Sequence, residues 1–170
     1  KVTMMQRASS RSANPLVRLG KLGQSVWLDD ISRSMIVSGE LARLIREDGL
    51  AGITSNPTIF ERAITGSPVY DPSLAELRLQ EASAETAYDA LVVRDIQDAA
   101  DIFQPLFAAS AGDAGFVSLE VSPHLARDTQ GTIREAQRLW AAVNRPNVFI
   151  KVPGTAEGIP AITALTAEGI

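Results

Sequence analysis

From Gly23 onward the chain alternates short β-rich apolar runs with longer stretches in which apolar residues recur at helical spacing. SVWLD (25–29) reads as a strand, and a helix follows from about Ser38 with Leu41, Leu44 and Ile45 on one side. Gly49 closes that helix, AGIT (51–54) is the next strand, and Asn56-Pro57 marks a sharp change of direction. The long middle reads as helical in two segments, one carrying Leu74, Leu77 and Leu79. The other carries Val92, Val93, Ile96, Ala99, Ala100, Phe103 and Phe107. GFVSLEV (115–121) predicts a third strand and Thr132 to Val143 a helix with Ile133, Ala136, Leu139 and Trp140 on its apolar side. NVFIKV (147–152) is the fourth strand, and a last helix opens near Pro160. Trp27 and Trp140 are read as packing residues rather than stacking platforms.

Strands alternating with helices predict an α/β fold of parallel β/α units. A TIM-type (β/α)8 barrel takes about 250 residues, or roughly 31 per unit. Asp29 to Thr54 spans 25 residues and Glu120 to Lys151 spans 31, whereas Thr54 to Glu120 spans 66 and holds additional helix. Four strands are accounted for, so residues 23–170 are expected to form about half of such a barrel.

The candidate chemistry lies at the ends of these strands, where β/α enzymes build their sites. In VFIKV, Val148, Ile150 and Val152 share one face, which leaves Phe149 and Lys151 on the other. Ser118 and Glu120 fall together in FVSLEV, Asp29 shares a face with Trp27, and AGIT leads into Thr54 and Asn56. Burying such charges costs several kcal/mol unless they are paired. The group is therefore either a buried ion-pair network or an active site. A lysine freed of its proton by burial attacks carbonyls to form a Schiff base, and nearby carboxylates supply the proton transfers. Spacing alone leaves both readings open.

Composition narrows the chemistry. The 170 residues include no Cys and one His, which excludes disulfides, thiolate nucleophiles, cysteine-based metal sites and a His-rich metal centre. The net charge of −4 gives no reason to expect nucleic acid, and no apolar run reaches the roughly 18 residues of a membrane span. The charge is uneven: residues 1–28 carry Lys1, Arg7, Arg11, Arg18 and Lys21 and no acid. Residues 1–22 are accordingly expected to be a basic, flexible leader, similar in composition to transit peptides but more simply an expression remnant or frayed terminus. Glu76, Glu81, Glu85, Asp95, Asp98 and Asp101 are read as solvated helix faces. Arg33 is weighed as a phosphate ligand and read instead as a solvated loop arginine.

At the strand-end residues the sequence resembles the transaldolase family. GITSNPTIF (52–60) is similar to the family's first signature and VFIKVPGTAEGIPAI (148–162) to the second, built around its Schiff-base lysine. SVWLDD (25–30) and FVSLEV (116–121) resemble the segments carrying its catalytic aspartate and glutamate. The wording around SVWLDDISR looks most like the longer bacterial and cyanobacterial branch, some of whose members are fused to an isomerase.

The resemblance implies that Lys151 forms an imine with C2 of a ketose phosphate. Asp29 would take the C4 hydroxyl proton, and Glu120 would handle proton transfers through a positioned water. Asn56 would bind hydroxyls of the retained dihydroxyacetone unit, with Thr54 and Ser118 positioning groups or water. The imine is its own electron sink, so no metal or organic cofactor is implied. Sugar phosphates of the pentose phosphate pathway would be the substrates, and the cytoplasm the location. The family's later strands and phosphate-gripping arginines have no counterpart before Ile170, so the chain is expected to be a fragment or part of a longer protein. Two other readings stay open: a fructose-6-phosphate aldolase-like lyase, and a non-catalytic half-barrel. Open sheet edges would invite self-association or a complementing C-terminal half.

Overall fold

The computed structural model describes residues 14–170. Four parallel strands form one sheet in the order β1 (Trp27–Leu28), β2 (Gly52–Ile53), β3 (Phe116–Glu120) and β4 (Val148–Lys151). The sequential order and parallel pairing are those of consecutive β/α units. The first two strands are much shorter than their apolar runs. The helical connections are α1 (Pro15–Lys21), α2 (Arg33–Val37), α3 (Glu40–Arg43), α4 (Pro57–Gly66), α5 (Asp71–Leu79), α6 (Ala84–Ala109), α7 (Thr129–Val143) and α8 (Gly158–Glu168). No helix among the described residues is long and apolar enough to cross a membrane.

Three boundaries differ from the sequence reading, each for a local reason. The first helix after β1 starts at Arg33, capped by the Ser32 hydroxyl, rather than at Ser38; Gly39, with φ of 79°, instead breaks it into α2 and α3. Asn56-Pro57 is more than a bend. The Asn56 side chain accepts a hydrogen bond from the Ile59 N–H at 3.0 Å, and Pro57 opens α4, a combination that starts helices. The same Asn-Pro device at Asn14-Pro15 starts α1, and Asn14 Nδ2 also donates to Asp48 at 2.7 Å. The expected flexible leader of residues 1–22 is therefore corrected at its end, where 15–21 are helical; residues 1–13 lie outside the described residues.

One face of the sheet packs against the helices. Ile53, Val117, Leu119 and Val148 join Ile96 and Phe103 of α6 and Leu139 and Val143 of α7 in the main core, all 4% exposed or less. The other face is concave. β1 and β4 are three strand spacings apart, about 14 Å along the sheet. Yet the rings of Trp27 and Phe149 stack at 6.3 Å between centroids, and Phe149 stacks on Phe116 at 4.1 Å. Side chains from the first and last strands can meet only because the sheet curls toward a barrel. Gly52 lies under the Trp27 indole, which occupies the space a Cβ would need. Trp27 thus packs against Phe149 and Gly52 on the concave face of the sheet. Four parallel β/α units on a curled open sheet agree with the expected partial barrel.

Candidate active site

Above the aromatic layer, one alternation further along the strands, stand the polar residues. Lys151 pairs with Glu120 in the β3–β4 register, so both side chains leave the same face at adjacent positions. The Lys151 ammonium lies 3.1 Å from Glu120 Oε2, with 44% and 22% of the two side chains exposed. Lys151 Nζ also donates to the Ser55 carbonyl at 3.4 Å. Ser118 Oγ donates to Thr54 Oγ1 at 2.9 Å, binding the end of β2 to β3 beside the ion pair.

Four of the six expected site residues, Lys151, Glu120, Thr54 and Ser118, are therefore joined into this group. Asp29 follows β1 two residues after Trp27, as Lys151 follows Phe149 on β4. It is exposed and makes no hydrogen bond or ion pair with any described residue. Asn56 sits where β2 turns into α4. Its Oδ1 is committed to capping, so its amide nitrogen is the group left for a ligand. Asn56, Ser55 and Glu120 also border a groove of about 1010 Å3 between α4, α6 and α7. Lys151 and Asp29 do not line it, so the groove adjoins the concave face without containing its lysine. Tyr88 lines the groove, and burial together with the nearby carboxylates of Asp89, Glu120 and Glu61 pushes its phenol up to about 12. No cluster of three His, Asp or Glu side chains among the described residues is placed to hold a metal ion.

The segment after Lys151 is pinned to its neighbour. Thr155 Oγ1 donates to the Ala126 carbonyl at 2.6 Å, and Thr129 Oγ1 donates to the Glu157 carbonyl at 2.6 Å. A Cβ on Gly158 would collide with the Pro153 carbonyl oxygen, which is backbone and cannot swing aside. Gly158→Ala should accordingly lower stability by about 1–3 kcal/mol, measured by urea unfolding; an unchanged midpoint would mean that the loop relaxes freely.

Arg33 and Asp95 differ from the sequence expectation. Arg33 is neither a phosphate ligand nor a solvated loop residue. Its Nε meets Asp95 at 2.7 Å, its Nη1 donates to Ser73 at 2.8 Å, and its guanidinium lies 4.5 Å from the Tyr70 ring centroid. Asp95 is fully buried rather than on a solvated face, and also accepts from the Tyr70 hydroxyl at 2.7 Å. This network locks α2 to α6. Ser55, between Thr54 and the capping Asn56, also belongs to the group around Lys151, but its hydroxyl bonds a backbone carbonyl 63 residues away, which no local pattern indicates.

Comparison with known proteins decides the family. The family model described as transaldolase/fructose-6-phosphate aldolase matches residues 26–170. The chain belongs to this family. It is similar to the transaldolase of Thiobacillus denitrificans, 55% identical over 152 residues, covering 89% of this chain and 42% of that protein. It is 46% identical to the transaldolase of Trichodesmium erythraeum over 157 residues, 92% of this chain and 41% of the relative. The Thermobifida fusca transaldolase is 50% identical over 157 residues, with 92% and 43% covered. The chain thus spans a little over two-fifths of the length of these curated relatives.

Proposed function

We propose that this chain supplies the imine-forming part of a transaldolase, a transferase that passes a dihydroxyacetone unit between sugar phosphates. The observation that carries the reading is the contact between Lys151 and Glu120 at 3.1 Å at the strand ends. A carboxylate in hydrogen-bond reach of an amine can take its proton before attack and return protons as water leaves. Lys151 Nζ attacks C2 of sedoheptulose 7-phosphate or fructose 6-phosphate, and Glu120 moves protons through a water as the carbinolamine loses water to become the imine. Asp29 takes the C4 hydroxyl proton, and the C3–C4 electrons flow into the imine as an aldose phosphate departs. The retained three-carbon unit then adds to glyceraldehyde 3-phosphate or erythrose 4-phosphate, and water releases the product from Lys151. The Asn56 amide nitrogen donates to hydroxyls of the retained unit, with Thr54 and Ser118 ordering neighbouring groups. The chemistry uses no metal or organic cofactor, and its place is the pentose phosphate pathway in the cytoplasm.

The reading includes a second chain segment that completes the barrel and grips the substrate phosphate. β4 is the last strand of the sheet, Phe149 is 46% exposed on its concave face, and α8 leaves Ile159 60% and Ile162 42% exposed. These are surfaces that further β/α units would cover. The aldolase reading has its own support, because the matching family description names fructose-6-phosphate aldolase beside transaldolase. Acceptor dependence separates them. The chain fused to the remaining C-terminal part of the Thiobacillus denitrificans relative is given fructose 6-phosphate with and without erythrose 4-phosphate. Sedoheptulose 7-phosphate formed only with the acceptor is the expected result. Steady release of glyceraldehyde 3-phosphate without acceptor would establish the aldolase, and no turnover in either mixture would leave a non-catalytic half-barrel.

A further inference from the structure

Ser55 is 1% exposed and lies just past the end of β2, between Thr54 and Asn56. The β2–β3 ladder ends at the pair Ile53–Val117. Beyond it, the Ser118 carbonyl of β3 is met by the Ser55 hydroxyl, which donates to it at 2.7 Å. This buried bond continues the stitching between the strands by one step after backbone pairing stops. Satisfied bonds of this kind fix a backbone because the alternative is a buried carbonyl with no partner. The fixed backbone carries a second group: the Ser55 carbonyl, which accepts from Lys151 Nζ at 3.4 Å. Lys151 is therefore held from two sides, by Glu120 of β3 and by the Ser55 carbonyl just past β2.

We propose that Ser55 is a positioning residue for imine formation: its hydroxyl clamps β2 to the Ser118 carbonyl so that its own carbonyl aims the Lys151 amine. The inference rests on the imine reading above. During the step the Nζ–C2 bond forms, two amine protons leave Nζ, and the carbonyl oxygen of the ketose departs as water. Ser55 touches none of the reacting carbon atoms. It narrows the range of directions from which Nζ approaches C2, a geometric effect large enough to change rates strongly. Substrate affinity, set by groups that contact the sugar and its phosphate, should change little.

The barrel-completed fusion tests this by single-turnover trapping with fructose 6-phosphate and borohydride across a substrate range. If the parent forms no adduct on Lys151, the imine reading fails, and the clamp fails with it. If the parent traps, Ser55→Ala should lower the saturating trapping rate by about tenfold or more while the half-saturating concentration moves by less than about threefold. Ser55→Thr, which restores a hydroxyl, should recover most of the rate. Should Ser55→Ala not fold, Ser55→Cys replaces it, with a slow saturating rate in a folded protein as the expected result. A folded Ser55→Ala or Ser55→Cys that traps at the parent rate overturns the proposal. So does a lost rate that Ser55→Thr fails to restore, or one matched by an equal loss of affinity.

Discussion

Lys151→Met should abolish turnover in the barrel-completed protein, a loss on the order of 10^4-fold or more, while leaving the fold in place. Methionine keeps a flexible stem of similar length but has no amine, so neither the carbinolamine nor the imine can form. The fold should survive because Lys151 is 44% exposed and its partner Glu120 retains contact with water. An exposed pair of this kind contributes little to stability. The thermal midpoint is therefore expected to stay within a few degrees of the parent. Product formation followed by a coupled assay checks the first expectation and circular dichroism the second. Residual activity within about tenfold of the parent would show that another group carries the chemistry.

Arg33→Met should produce the largest loss of stability. It leaves the Asp95 carboxylate, fully buried, with the Tyr70 hydroxyl as its remaining partner. Removing one member of a buried ion pair costs about 3–5 kcal/mol. For a chain of this size that corresponds to a fall of roughly 6–20 °C in Tm. The loss should depend on pH in a definite direction. Burial pushes the Asp95 carboxyl above the ordinary range, against the opposing pull of Tyr70 and Arg33. A folded-state value above the unfolded one means that the folded protein holds the proton more tightly, so this group's contribution to stability falls as the pH rises through that window. Without Arg33 the value rises further. The deficit of Arg33→Met should therefore be smallest near about pH 4 and grow toward neutrality. Arg33→Met combined with Asp95→Leu should recover much of the loss, because no charge is left buried. Urea unfolding at two pH values checks both statements; a deficit equal at acid and neutral pH would contradict the assignment.

The site was more legible in the sequence than the packing behind it. Alternation along FVSLEV and VFIKV puts Glu120 and Lys151 each on the face opposite Val117, Leu119, Val148 and Ile150, but their meeting depends on the β3–β4 register, which alternation does not carry. The concave aromatic layer was half visible: Phe149 was assigned to the right face, but its contact with Trp27 depends on how far the sheet curls. The burial of Asp95 has a local signal in the sequence. Asp95 lies at helical spacing from Val92 and Ala99, both buried. An acid on that face implies a buried partner. Its partner Arg33 is 62 positions away, a separation that no local pattern records. The helix starts at Asn14-Pro15 and Asn56-Pro57 were legible in principle, since a capping side chain followed by proline is a local device. Ser55 illustrates the remaining limit: its importance lies in a bond to the backbone of residue 118, and a backbone acceptor leaves no mark on the sequence.

The chain contains three lysines, Lys1, Lys21 and Lys151, which makes the central claim directly measurable. The barrel-completed protein is incubated with fructose 6-phosphate, reduced with borohydride, digested and mapped by mass spectrometry. One adduct is expected, a reduced sugar-derived unit on the peptide containing Lys151, and it should be absent without substrate. An unmodified Lys151, or an adduct confined to another lysine, would contradict the account.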